Sequence, residues 1–113
     1  MTLIYKIAPA ALWAQACRAG RFAGAPVDLA DGFIHFSTAE QAPQTAARHF
    51  AAARDLVLVA YDAAGLGAAL KWETARGGAL FPHYYGVLDP AAAHAVASLP
   101  WRAGAHDFSG LLA

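Results

Sequence analysis

The stretch DGFIHFSTAEQ, residues 31–41, contains a complete transition from a strand to a helix. Phe33–Phe36 is short, apolar and preceded by an Asp-Gly turn signal, which is typical of a β-strand. Thr38 and Gln41 have the spacing of a capping box, in which each side chain binds a free backbone N–H at the start of a helix. We therefore expect a helix over about 39–53, whose proline is tolerated only in the first turn.

Before this stretch, the chain predicts a strand, a helix and a loop. Leu3–Ile7 is rich in bulky and β-branched residues and favours a strand. Ala10–Ala19 has apolar residues at helical spacing, and the glycine that follows is a suitable C-terminal stop. Phe22–Ala30 contains two breaks formed by alanine with glycine or proline, so we expect a loop there.

After this stretch, the pattern is mostly that of strands. Leu56–Tyr61 is a continuous apolar run and the best candidate for a central strand. A short helical turn is predicted over 62–67, and further strands are predicted at Leu70–Thr74, Phe81–Tyr85 and Ala95–Leu99. Two early helices followed by many strands indicate an α+β domain with an antiparallel-rich sheet.

The composition limits the classes of protein to which the chain can belong. Its 113 residues suggest a single domain, and 58% hydrophobic residues can fill its core. The formal net charge of zero argues against a general nucleic-acid or membrane-surface binder, although a small phosphate-bearing ligand needs only a few local donors. The single cysteine, the lack of a membrane-span pattern and the lack of a secretion signal predict a cytoplasmic protein.

The first candidate site lies at the strand end in residues 31–41. His35, Ser37 and Thr38 follow one another where a helix N-terminus would offer free N–H groups and partial positive charge, which suits a phosphate or a ribose hydroxyl. An imidazole beside it can donate or accept a hydrogen bond. A structural alternative explains the same residues as a satisfied core histidine followed by helix caps.

The second candidate site lies in LKWETARGGALFPHYYG, residues 70–86. Glu73 stands in an apolar strand beside Trp72, and a buried carboxylate needs a partner or a ligand. A surface salt bridge from Glu73 to Arg76 or Lys71 is the alternative. The nearby aromatic and imidazole groups can stack on a planar ring and bind a sugar, or simply plug a small sheet; they are Phe81, His83, Tyr84 and Tyr85.

Common cofactor motifs do not occur in the chain. The histidines and Cys17 lack close metal-ligand spacing, so no metal is expected. The glycine-rich signatures of the Rossmann and P-loop nucleotide sites are missing, as is the nucleophile elbow of the α/β-hydrolases.

Four pieces of the sequence together resemble a small bacterial family, Domain of Unknown Function 952. They are IYKI, GFIHFSTAEQ, LKWE and FPHYYGVL, in the order and spacing of that family, over about Leu3 to Ser98. The family is grouped by fold with the ADP-ribosyltransferases, which include toxin-type transferases and RNA 2′-phosphotransferases that use NAD. The resemblance implies an α+β fold with a split, mostly antiparallel sheet and a cleft for a nicotinamide dinucleotide or an ADP-ribose-like group.

The resemblance also implies roles for individual residues. Lys6 stands where many relatives have histidine, as IYHI; it can contact a phosphate but cannot accept a hydrogen bond as imidazole can. His35 and Ser37 match the IHxS piece of the family. Glu73 matches the WE piece, and in transferases of this fold a glutamate stabilises a cationic, oxocarbenium-like sugar.

The FPHxYG piece supplies the remaining candidates, because His83 and Tyr85 match it and would line the same cleft. An enzyme would use NAD as a substrate, or a phosphorylated ribose derivative, and would break or transfer a group at the anomeric carbon or at a ribose phosphate. His35 and Glu73 would then be the catalytic residues. The ligand-binding residues would be Lys6, Ser37, Thr38, Trp72, Phe81, His83, Tyr84 and Tyr85. The alternative is a module that binds a nucleotide or modified ribose without chemistry. The sequence leaves the oligomeric state open.

Overall fold

Two long strands form the middle of the fold. The computed structural model describes residues 1–113, and in it β1 (Leu3–Pro9) pairs antiparallel with β4 (Leu56–Asp62) from end to end. The short strand β3 (Ser37–Thr38) pairs with β1, and β7 (Ala95–Leu99) pairs with β4, which gives the order β3-β1-β4-β7. The prediction of Leu56–Tyr61 as a central strand is confirmed.

Three other strands form a second sheet. It has the order β2-β6-β5, with β2 (Ile34–His35), β6 (Leu80–Tyr84) and β5 (Leu70–Thr74) paired antiparallel. A small hairpin of β8 (Trp101–Arg102) and β9 (Ala105–His106) completes the strands. The protein is therefore an α+β domain with mostly antiparallel sheets.

Four α-helices connect these strands. They are α1 (Ala10–Ala19), α2 (Pro26–Asp31), α3 (Ala42–His49) and α4 (Ala63–Leu66). Single 3₁₀ turns cover Gly67–Ala69, Arg76–Gly78 and Pro90–Ala92. None of the helices combines the length and the apolar character that crossing a bilayer requires.

The core has two apolar clusters, one on each face of the first sheet, because successive side chains of a strand point to opposite faces. On one face Ile4 and Val59 pack with Trp13 of α1. On the other face Tyr5 and Leu58 pack with Ala46 of α3. The sheet thus fixes α1 and α3 on opposite sides of β1.

The predicted loop over Phe22–Ala30 is wrong, because residues Pro26–Asp31 form α2. Proline suits the first turn of a helix, where its missing N–H would have no partner. The Asp28 side chain accepts a hydrogen bond from the backbone N–H of Ala25 at 2.7 Å, which satisfies a free donor at the helix start. The alanine–proline step, which was predicted to break regular structure, is therefore the start of a helix.

The predicted strand over Phe33–Phe36 is also corrected. Only Ile34–His35 of it is a strand, β2, and the chain continues after Phe36 into β3, which belongs to the other sheet. Between them, the backbone N–H of Phe36 donates to the carbonyl of Pro82 at 3.0 Å. Residues 34–38 therefore cross from the second sheet to the first, and they join the two sheets.

The reciprocal bonds predicted for a capping box are present between Thr38 and Gln41, but they close a turn before the helix and do not cap it, and the helix is shorter than the predicted 39–53. The backbone N–H of Thr38 donates to Gln41 Oε1 at 3.0 Å, and the N–H of Gln41 donates to Thr38 Oγ1 at 3.2 Å. The helix begins at Ala42, with its proline in the first turn as expected, and Phe50 ends it with a non-helical φ of −128°.

Candidate functional site

A cavity of about 490 Å³ lies where the two sheets meet, bordered by β1, α2, α3, β6 and the crossing from β2 to β3. Half of the ten predicted site residues line it: Lys6, His35, Ser37, Phe81 and His83. The other half, Thr38, Trp72, Glu73, Tyr84 and Tyr85, do not line it. Within the crossing, His35 and Ser37 thus line the cavity, whereas Thr38 bonds to Gln41 in the turn before the helix.

The register of the second sheet explains this division for Trp72 and Tyr84. His35 lies directly opposite His83, so both side chains point to the same face. Phe81 shares this face because it lies two residues from His83. Tyr84 and Trp72 point to the other face, where Tyr84 packs on the core and Trp72 is 42% exposed.

A carboxylate that sequence reasoning missed lies beside the cavity. Asp28, which is 1% exposed, contacts Lys6 Nζ through both oxygens, at 2.9 and 2.8 Å. Its Oδ1 lies 2.7 Å from His35 Nδ1 and accepts the backbone N–H of His35 at 3.1 Å. With the bond from Ala25, every direction around this carboxylate is occupied. The sequence signal was an aspartate in the first turn of a helix that begins with proline.

The charges of this buried group support one another. Burial by itself raises the pKa of Asp28, but the hydrogen bond with His35 and the charge of Lys6 outweigh it and lower the pKa to about 2. Burial lowers the pKa of Lys6, and Asp28 opposes that change. Lys6, 3% exposed, is thus held by an internal carboxylate rather than left free for a ligand phosphate.

Gly24 makes room for this carboxylate. A Cβ atom at Gly24 would lie 2.7 Å from the Cβ of Asp28, which is closer than real contacts allow. The backbone φ of +132° at Gly24 also disfavours any other residue. The position therefore requires glycine.

The ring of His35 is held between two carboxylates. Its Nδ1 lies 2.7 Å from Asp28, and its Nε2 lies 2.9 Å from Asp31 Oδ2. Only the doubly protonated ring can donate to both carboxylates, whereas the neutral ring donates to one. A ligand would have to displace Asp31 before it could bond to Nε2. A ligand in the cavity can therefore contact the ring carbons of His35 but finds no free ring nitrogen.

Glu73 has partners other than those considered from sequence. Its Oε1 lies 2.8 Å from His83 Nδ1 and accepts the hydroxyl of Tyr85 at 2.7 Å, so the alternative of an ion pair with Arg76 or Lys71 is wrong. The hydrogen bonds from Tyr85 and His83 lower the pKa of this carboxyl. Glu73 therefore reaches the cavity only through the ring of His83.

Phe33 packs against this second pair. Its ring stacks on His83 at 4.0 Å between centroids, with an interplanar angle of 27°, and lies 5.3 Å from the ring of Tyr85. The sequence placed Phe33 in a strand without a site role. Its stacking restricts the plane of the His83 ring, while the hydrogen bond to Glu73 holds Nδ1.

Arg76 is the cationic lining residue that the sequence did not assign to ligand binding. Its Nη2 donates to Thr45 Oγ1 at 2.9 Å, and Thr45 Oγ1 lies 2.8 Å from Ser37 Oγ. Its Nη1 is buried and has no hydrogen-bond partner, and no carboxylate forms an ion pair with it. His49 and Asp31 also line the cavity and were not predicted.

The cavity wall favours anions at the end formed by Arg76. Burial and the nearby charge of Arg48 lower the pKa of Arg76. Burial, Arg76 and Arg48 lower the pKa of His49. Cations disfavour one another here, so a negative group is the complement that this end lacks. No group of three or more His, Cys, Asp or Glu side chains is arranged to hold a metal ion.

Comparison with known proteins gives the family. The model of the protein family described as "Protein of unknown function (DUF952)" matches residues 7–97. The chain belongs to the DUF952 family. The crystal structure of protein CC0527 from Caulobacter crescentus is 50% identical in sequence, with a TM-score of 0.92 over 96% of both chains.

Two further structures of CC0527 agree with this DUF952 fold. A double-mutant form in the crystal is 48% identical, with a TM-score of 0.91 over 96% of both chains. The solution structure is 51% identical, with a TM-score of 0.84 over 94% of this chain and 91% of that one. No curated protein matches this chain.

Proposed function

We propose that the cavity binds a small phosphorylated ribose derivative, such as a nucleotide, in an ADP-ribosyltransferase-like cleft. The observation that carries this proposal is Arg76 Nη1, a buried guanidinium nitrogen in the cavity wall with neither a hydrogen bond nor a carboxylate partner. A buried charged donor without a partner is costly, and a phosphate oxygen supplies the missing acceptor.

The neighbours of Arg76 fit a phosphate. The hydroxyl groups of Thr45 and Ser37 are linked to Arg76 in one chain of hydrogen bonds, and the hydroxyl that does not donate within the Ser37–Thr45 bond can donate to a further oxygen. A guanidinium fork binds phosphate with two parallel N–H groups, which a lysine cannot do. In this proposal, Arg76 takes the role that the sequence gave to Lys6.

The remainder of the cavity fits a nucleoside. A volume of about 490 Å³ lies within the usual range for small-ligand sites. Phe81 offers an aromatic ring over which the Arg76 guanidinium lies at 4.9 Å, and His83 and Ser37 offer hydrogen-bonding groups for a sugar. NAD and ADP-ribose are included among the proposed ligands because the family resemblance implies them.

Chemistry on the ligand is a further step of the proposal. A transferase or hydrolase acting on NAD would place the ribose beside His35, which lines the cavity. A binding module without chemistry is the second candidate, and the position of Glu73 favours it, because that carboxylate does not line the cavity and its Oε1 already accepts two hydrogen bonds. Release of nicotinamide on incubation with NAD distinguishes the two candidates.

Arg76→Gln is the variant that tests the proposal. We expect AMP, ADP-ribose or NAD to stabilise the wild-type protein by several degrees at a hundredfold excess over Kd. Loss of a charge-assisted hydrogen bond in Arg76→Gln should lower the affinity for that ligand at least about tenfold. Thermal-shift and calorimetric titrations, with inorganic phosphate and a 2′-phosphorylated oligonucleotide in the same series, measure both effects.

Arg21→Gln is the matched control. It removes the same charge from an exposed arginine that does not line the cavity, and it should bind like the wild type. If none of these ligands binds the wild type, or if Arg76→Gln binds them as tightly as Arg21→Gln does, the proposal fails.

A further inference from the structure

One nitrogen of a cavity histidine is free for a ligand. His83 lines the cavity and is 7% exposed, with its Nδ1 2.8 Å from Glu73 Oε1. Its Nε2 has no hydrogen-bond partner in the protein. Nε2 is not among the fully buried nitrogens that lack a partner, which are Arg76 Nη1 and His106 Nδ1. Because His83 lines the cavity and its Nδ1 is taken by Glu73, Nε2 is the ring nitrogen that is left for a ligand.

The partner of Nδ1 determines what Nε2 can do. An ionised carboxylate only accepts hydrogen bonds, so Nδ1 must carry the proton that it shares with Glu73. Hydrogen bonds from Tyr85 and His83 lower the pKa of Glu73, which keeps this carboxyl ionised. The neutral ring of His83 therefore presents a lone pair at Nε2, and Nε2 is an acceptor.

The ring is also held in place. Phe33 stacks on it at 4.0 Å, and the ring of His35 meets it at 5.7 Å with an interplanar angle of 65°. His35 cannot replace it as an acceptor, because both nitrogens of His35 already face carboxylates. His83 thus supplies a fixed imidazole acceptor that a ligand hydroxyl can use.

We infer that Nε2 of His83 accepts a hydrogen bond from a sugar hydroxyl of the ligand and gives the cavity a preference for ribose over sugars that lack the 2′ and 3′ hydroxyls. Glu73 is a positioning residue that fixes the ring form. The inference rests on the proposed function, because the phosphate group must hold the nucleotide in this cavity. A site built to bond a hydroxyl discriminates against the analogue that lacks it, since its buried polar group is then unpaired.

Calorimetric titration with AMP and with 2′,3′-dideoxy-AMP tests this preference. We expect the wild type to bind AMP about tenfold more tightly, as one hydrogen bond of this kind provides. His83→Phe keeps an aromatic ring against Phe33 but has no acceptor. It should bind AMP as weakly as the dideoxy analogue, while its affinity for the dideoxy analogue stays at the wild-type value.

An unchanged affinity for the dideoxy analogue would show that His83→Phe is folded and still binds the phosphate. His94→Phe, the same change at an exposed histidine outside the cavity, should retain the wild-type preference. Equal affinity of the wild type for the two nucleotides, or a preference that persists in His83→Phe, would overturn the inference although AMP binds. If neither nucleotide binds the wild type, the proposed function fails as well.

Nitrogen-15 NMR of the histidine rings tests the inference without a ligand. At a pH where the spectrum shows a neutral ring, His83 should carry its proton on Nδ1 in the wild type. Glu73→Ala should lose this fixed form and, with it, part of the preference for AMP. A wild-type proton on Nε2 would overturn the inference even where AMP binds, which separates its failure from that of the proposed function.

Discussion

Two carboxylate–histidine pairs have their histidines on neighbouring strands of the second sheet, and they differ in the burial of the carboxylate. Asp28, paired with His35, is 1% exposed and also contacts Lys6 and two backbone N–H groups. Glu73, paired with His83, has a side chain that is 38% exposed and accepts two hydrogen bonds. We call the first pair closed, because both ring nitrogens of its histidine face carboxylates. We call the second pair open, because Nε2 of its histidine has no partner in the protein.

This difference shows that a carboxylate paired with a histidine can have either a structural role or a role in ligand binding. A buried carboxylate with all its directions occupied holds elements together, here β1, α2 and β2. An exposed carboxylate contributes little to folding, but it can still orient a ring. Burial therefore separates a pair that stabilises the fold from a pair that prepares a ligand contact.

Asp28→Asn has the largest expected effect on stability. The substitution leaves Lys6 as a buried cation without its carboxylate, and breaking such a pair by removing one partner costs about 3–5 kcal/mol. The unfolding free energy from urea denaturation measures this loss. Absence of a cooperative transition in the variant would be the extreme form of the same result.

Glu73→Gln is the matched control for Asp28→Asn, because it neutralises the carboxylate of the other pair. It should unfold close to the wild-type urea midpoint, since the Glu73 side chain is exposed. Equal losses of stability in the two variants would contradict the distinction between the closed and the open pair.

Acid titration should have a smaller effect that also depends on Asp28. The pKa of Asp28 is about 2 in the folded protein against 3.8 as the ordinary value. Because the folded pKa is the lower one, the stabilisation is complete above the unfolded value and is lost as the pH falls through the folded value. The loss amounts to about 2 kcal/mol.

Urea denaturation at a series of pH values measures this loss, and carbon-13 NMR of the Asp28 carboxyl assigns it. Asp107 and Glu73 also have lowered pKa values, so the residue-specific NMR midpoint is needed. A midpoint for Asp28 near the ordinary value would show that Lys6 and His35 do not hold its charge in solution.

Local patterns predicted the elements whose signals lie within one segment. The strands β4 and β5 and the reciprocal Thr38–Gln41 hydrogen bonds all belong to this class and are present, although these bonds close a turn before the helix and do not cap it. The crossing of residues 34–38 from one sheet to the other could not be read locally, because strand pairing is decided by partners distant in sequence.

The candidate site was predicted only in part for the same reason. His35 and His83 were singled out from the sequence, and the register of β2 with β6 places them side by side. Asp28 was missed because its segment was taken for a loop, although the proline at the helix start was a usable signal. Arg76 was considered only as a partner of Glu73, and its contact with Thr45, 31 residues away, has no sequence signature.

The most direct test of the ligand cavity is a proton–nitrogen NMR titration of the wild-type protein with AMP. We expect the largest changes in chemical shift at the amides of Ser37, Thr45 and Arg76 and at the ring of His83, with little change in the hairpin of β8 and β9. Absence of any change, or changes confined to surfaces outside the cavity, would contradict the assignment of this cavity as a nucleotide site.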